Sequence, residues 1–222
     1  MAQSTIYQGA ADQTSASGDF AASKFHIDQV LAEISTATLV KIVKAPYDAS
    51  GNAISPGSAA AIGYVDVQPL VNQLNGTGKP TPHGNVFHLS YHRYQSGAGA
   101  FIADPMVGDI GKMVVADRDT SQVKSTNAQA NPGSRRKFDR ADGTFFGCTQ
   151  GGKPTQWFGW LSKGFNITDA YGNTIVGGQN GVTINGCLIN QSGDVITKAG
   201  HDLDKHLHSG VTTGSGNTGM PV

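Results

Sequence analysis

Between residues 166 and 197 the chain uses one short pattern twice. NITDAYGNTIV and LINQSGDVIT each read as an apolar strand, a polar turn around a glycine and a second apolar strand. A unit of this kind cannot bury its apolar face alone and has to stack on neighbours. The same texture fills the last third of the chain, with β-prone segments at Trp157 to Leu161, Phe165 to Ile167, Asn173 to Val176, Val182 to Asn185, Cys187 to Asn190 and Asp194 to Thr197. Roughly 55 residues of such short strands make a poor independent core. The segment must therefore pack on the preceding domain or assemble with identical tails, which also covers its strand edges.

The remainder of the chain fits the same β-rich reading. Thirty glycines and nine prolines supply many turns, and every acidic side chain but Glu33 is an aspartate, so helix-forming blocks are scarce. Sixteen basic against sixteen acidic side chains leave no net charge, which argues against nucleic acid or an anionic membrane surface as the main partner. No apolar run is long enough for a membrane-spanning helix. Residues 1–22 lack the basic start and apolar stretch of a signal peptide, so the chain is expected to fold in the cytoplasm where it is made. Cys148 and Cys187 match no metal or redox spacing and are expected to be buried free thiols.

Residues 1–24 read as a flexible leader. A helix follows over FHIDQVLAEIS, with Phe25, Ile27, Val30, Leu31 and Ile34 on one face and Ser23 as N-cap. Strands are expected at Thr36 to Ala45, Ala61 to Leu74 (Pro69 near its end), Val86 to Tyr94, Phe101–Ile102 and Lys112 to Ala116, and an irregular or briefly helical segment within 119–133. Five strands and one helix within residues 25–143 suit a small closed barrel such as an OB fold. The tail then begins at Thr144.

Chemistry concentrates near the end, in His206–Leu207–His208. Residues i and i+2 of a strand face one way, so both imidazoles share a side. Two histidines do not complete a metal site. Three identical tails meeting on a threefold axis would bring six imidazoles together as two stacked triangles. That octahedron points to iron, with nickel or cobalt behind it. A pair of solvated histidines in a polar tail is the alternative reading of the same residues. Asp202, Asp204 and His201 lie close enough in sequence to suggest a one-chain His–Asp hydrolytic site, on thinner support. The other histidines, including His88 and His92 on one face of the third strand, read as surface or partly buried groups. The basic run Ser134 to Arg140 reads as a solvated loop or a subunit salt bridge. Trp157, Phe158 and Trp160 read as core residues of the first tail layer.

Taken together, VDVQP (Val65 to Pro69), ADPMVGDIG (Ala103 to Gly111), TINGCLINQSGDVITKAG (Thr183 to Gly200) and HLHSGVTTGSGNTGMPV (His206 to Val222) resemble the baseplate assembly protein V group, the central membrane-piercing spikes of contractile-tailed phages. The resemblance covers residues 25–222. It implies a mainly β fold: an N-terminal OB-fold collar (25–143), a trimeric intertwined triple-stranded β-helix shaft (144–200) and a small metal-bound apex (201–222). It also implies one structural iron ion per homotrimer, held octahedrally by His206 and His208 of each chain. His201 stands where that family has an apolar residue, and Lys205 adds charge beside His206. The function implied is mechanical and not enzymatic. The spike would sit in the virion at the tail tip, with the collar on the tail hub and baseplate and the point against the host outer membrane, without nucleic acid as a partner. An OB-fold module for glycan or nucleic acid, with a tail that merely oligomerises, is the alternative.

Overall fold

The computed structural model describes residues 18–74 and 78–205. The described chain is mainly β and divides into two compact units, residues 1–151 and 152–222. None of its helices is long and apolar enough to cross a membrane.

The first unit opens with helix α1 (Asp19–Glu33). The expected N-cap, Ser23, lies inside this helix: it starts at Asp19, after Gly18, and Gly18 has no side chain to cap it. The boundary drawn after residue 24 therefore falls within α1. Strands β1 (Ala37–Tyr47) and β2 (Tyr64–Pro69) follow, then a small hairpin of β3 (Gln73–Leu74) and β4 (Pro80–Thr81). Next come β5 (Val86–Tyr91), a second hairpin of β6 (Tyr94–Ser96) and β7 (Gly99–Phe101), and β8 (Ile110–Val115). Helix α2 (Ser121–Thr126) lies in the stretch read as irregular or briefly helical, and β9 (Gly143–Gln150) completes the unit.

Five of these strands close a barrel in the order β1-β2-β5-β9-β8. All contacts are antiparallel except the parallel pair β5–β9, where Ser90 faces Thr144 and Tyr91 faces Phe145. The expected number of barrel strands is right but one member is not. Phe101 belongs to the separate β6–β7 hairpin, and the fifth barrel strand is β9, which the sequence reading assigns to the tail. The boundary moves from 143/144 to 151/152 because β8 has no second neighbour without β9 and Phe145 fills the centre. Val40, Ile42, Val65, Val67, Leu89, Tyr91, Met113, Val115 and Phe145 form the core, by the inward alternation expected of strands closing on themselves.

Two buried polar groups brace this barrel. Arg93 and Asp104 pair at 2.6 Å with both side chains shielded from water, and Arg93 also donates to the Ala60 carbonyl and to the Tyr91 hydroxyl. Tyr47 donates its hydroxyl proton to Asp66 at 2.5 Å, and the His88 amide donates to the same carboxylate. Burial, with the adjacent Asp66 carboxylate, pushes the Tyr47 phenol up to about 12.

The second unit is one six-stranded antiparallel meander: β10 (Trp157–Leu161), β11 (Gly164–Thr168), β12 (Thr174–Gly178), β13 (Gly181–Ile184), β14 (Cys187–Asn190) and β15 (Val195–Ile196). All six coincide with the segments expected from sequence, within a residue or two. Their hairpins reuse one turn. In Asp169–Asn173 the carboxylate accepts from the backbone of Tyr171 and Asn173, and Gly172 takes φ +87°. In Asn190–Asp194 the side-chain oxygen accepts from Ser192 and Asp194, and Gly193 takes φ +91°. Asp48–Asn52 in the barrel builds the same turn, with Gly51 at φ +88°. The side chain replaces a strand hydrogen bond at the bend, and glycine takes the left-handed position at no steric cost.

Candidate functional site

The register of the meander sorts its side chains onto two unlike faces. Phe158 pairs with Ile167, Ile167 with Ile175, Ile175 with Ile184 and Ile184 with Cys187. Two residues along each strand, Trp160 pairs with Phe165, Phe165 with Gly177, Gly177 with Val182, Val182 with Ile189 and Ile189 with Val195. Directly paired residues share a face, and alternate residues return to it. The two rows therefore make one face on which the only non-apolar atoms are the Cys187 thiol and the Trp160 indole N–H. The opposite face is mixed, with Asn166, Thr168, Thr174, Thr183 and Asn190 among its members. A single alternating pattern held through five hairpins produces this segregation.

Among the described residues of the unit, none covers the apolar face. Trp160 is 80% exposed, Ile175 36% and Ile184 45%. The only buried residue among those described in β10–β15 is Gly177, which lies under the Phe165 ring; a Cβ there would collide with the ring carbons. The expectation that Trp157, Phe158 and Trp160 are core residues is not met within the chain, since all three are exposed. The same holds for the thiols: Cys148 is exposed and Cys187, on the apolar face, is half-buried. Phe158 and Trp160 touch edge to face, with centroids 5.2 Å apart. A soluble sheet seldom leaves so continuous an apolar surface open unless something docks on it.

The predicted ligands His206 and His208 lie outside the described residues. Thr197–His201 closes another turn, in which the Thr197 amide donates to the His201 carbonyl and the His201 amide to the Thr197 hydroxyl. His201 thus serves through its backbone, while its imidazole is exposed. Asp202 then bridges back to Ile196. Carboxylate oxygens of Asp194, Asp202 and Asp204 lie within 4.8 Å of one another, the one such ligand cluster among the described residues. A cation is already there: the Lys205 ammonium lies 3.0 Å from Asp202 and 3.3 Å from Asp194. The hydrogen bond from Lys205 holds the Asp202 carboxyl below its ordinary range. Lys205, an unassigned extra charge in the sequence, therefore fastens the end of the meander to the chain that leads to His206.

The remaining histidines are dispersed over the first unit. His26 lies on α1 beside Phe25. His83 faces Gln73 and Arg140 through Nδ1 at 2.5 Å each, and burial with the nearby Arg140 charge lowers its pKa. His88, at φ +62° in a bulge of β5, stacks on Tyr64 at 3.6 Å, and His92 stacks on Phe146 at 5.1 Å. Part of the basic run is engaged within the chain: Arg136 pairs with Asp119 and Asp142, and Arg140 donates to Ser35, while Arg135 and Lys137 are exposed. No protein-family model and no curated protein matches the chain.

Proposed function

We propose that this chain is the central spike of a contractile phage tail, a homotrimer that pierces the host outer membrane mechanically when the sheath contracts. The observation that carries this reading is the meander of β10–β15: six strands, one wholly apolar face and no core of their own. Three copies, with the apolar faces turned to a common axis, remove that surface from water and supply the core that one chain lacks. An intertwined triple-stranded β-helix also leaves neither β10 nor β15 as an open edge. The closed five-stranded barrel suits an OB-type collar seated on the tail hub.

At the far end His206 and His208 of each chain would present six imidazole nitrogens, a donor set that suits a single structural iron. Such an ion ties three termini together and adds its binding free energy to that of folding. With every coordination position filled by protein, the site would do no chemistry, and the spike would act by rigidity. The virion tail tip is the corresponding location.

Native mass spectrometry of the full-length protein, with elemental analysis of the same sample, tests this. Three chains carrying one iron, with the iron lost in a His206→Ala/His208→Ala variant, support the apical site and the spike. A metal-free trimer keeps the shaft and removes the iron. A monomer ends the proposal.

The second reading, an OB-fold binding module with an oligomerising tail, draws on the exposed His88 ring stacked on Tyr64 across β2 and β5. Zero net charge weighs against nucleic acid, and oligosaccharide binding lost in a His88→Ala variant would favour a glycan.

A further inference from the structure

Helix α1 carries a second uncovered apolar surface, on a different element from the shaft. No residue of α1 is buried. Phe20 is 84% exposed, and Ile27, Val30 and Leu31 are each more than half exposed. A lone helix of this length is marginal in water unless packing supports it, and α1 has no side-chain cap at its N-terminus. Something must therefore cover the stripe.

The spacing of the stripe and its charges identify the cover. Phe20, Ile27 and the C-cap residue Ile34 are seven apart, which makes them a positions, with Ser23 and Val30 at d and Leu31 widening the seam at e. The seam has β-branched Ile27 and Ile34 at a and Val30 at its one apolar d, without the leucine at d that accompanies β-branched a residues in two-stranded coils; this composition favours higher coils. Asp19 then occupies g and Lys24 the following e. Between parallel helices these two meet with opposite charge. Between antiparallel helices Asp19 would face Glu33, acid against acid. Lys24 is already oriented by its own Asp28, 2.6 Å away.

We infer that α1 pairs with α1 of other copies of this chain as a short parallel three-helix coil. It would hold the chains together at a point in sequence far from both β10–β15 and His206. The inference rests on the trimer reading above.

The test uses the full-length chain with Cys148→Ser and Cys187→Ala, into which Ile27→Cys (a) or Ala32→Cys (f, on the far side of the helix) is placed. Treatment of the native trimer with an oxidant should join two of its three chains through position 27, moving up to about two-thirds of the single-chain band to a two-chain band on a non-reducing gel, and leave position 32 unlinked, because a disulfide joins one pair of thiols and needs Cα atoms within about 7 Å. Lys24→Glu should slow the linking and added Asp19→Lys restore it. A trimer that fails to link at 27, or links equally at 32, overturns the coil and leaves the spike standing. A monomer overturns both.

Discussion

Ile175 and Ile184 face each other across β12 and β13 on the apolar face, 36% and 45% exposed in the single chain. Full burial of such a side chain is worth about 1.5–3 kcal/mol, so covering those fractions adds about 1–2 kcal/mol per chain for the pair. Truncating both to alanine should therefore remove about 4–7 kcal/mol from a trimer of three such faces. That weakens assembly by a factor of about 10³ to 10⁵. Sedimentation velocity over a dilution series reads this directly, with far-UV circular dichroism to confirm that the strands persist. Thr174→Ala/Thr183→Ala is the matched control, because those side chains sit on the same strands but on the mixed face. A dissociation midpoint that is unmoved by the isoleucine pair, or moved equally by the threonine pair, would refute the claim that this face is the one covered.

Two further expectations concern the fold itself. Gly177→Val should lower the thermal midpoint by several degrees through a clash with the Phe165 ring, a cost of about 1–3 kcal/mol per chain, and adding Phe165→Leu should recover part of the loss. Tyr47 holds its proton up to about 12 in the fold, against 10.0 unperturbed; the unfolded chain therefore releases that proton first, and stability present below pH 10 should fall between pH 10 and 12 by about 3 kcal/mol. Denaturant titrations across that range should show this slope, and Tyr47→Phe should reduce it without abolishing it, because burial and Asp104 also push the Tyr91 phenol up; the same slope in both proteins would mean that the Tyr47 phenol is not its source.

Sequence and structure part most clearly at β9 and at α1. β9 reads as tail, since GTFFGCTQ shares the short, glycine-broken texture of β10–β15. Its place in the barrel comes from a parallel pairing with β5, about fifty residues away, and no local pattern announces such a pairing. The bend at His88 shows the same limit: strict alternation predicts an unbroken strand, whereas the register with β2 slips between Val65 and Val67 and drives a non-glycine residue to positive φ. Helix α1 was legible as a helix but not in its start, since Ser23 is a preferred N-cap residue type and is still passed over, the helix beginning at Asp19. The recurring turn could have been found from sequence, as DASGN at Asp48 and DAYGN at Asp169 differ in one residue.

By itself the sequence determined the local elements of this protein: six short strands in the tail, their glycine turns, and an apolar alternation that these strands could not bury among themselves. It also supplied the His-x-His pair, by a spacing that any extended chain turns to one side. Only the tertiary structure decided which strands close the barrel, where the barrel ends, that the Ile and Phe rows join into a single face, and that Lys205 is spent on Asp194 and Asp202. The division has a physical cause. Alternation, turns and capping are set within a few residues by backbone sterics and local hydrogen bonds, whereas barrel closure, register and the choice of ion partner depend on residues that meet only once the chain has folded.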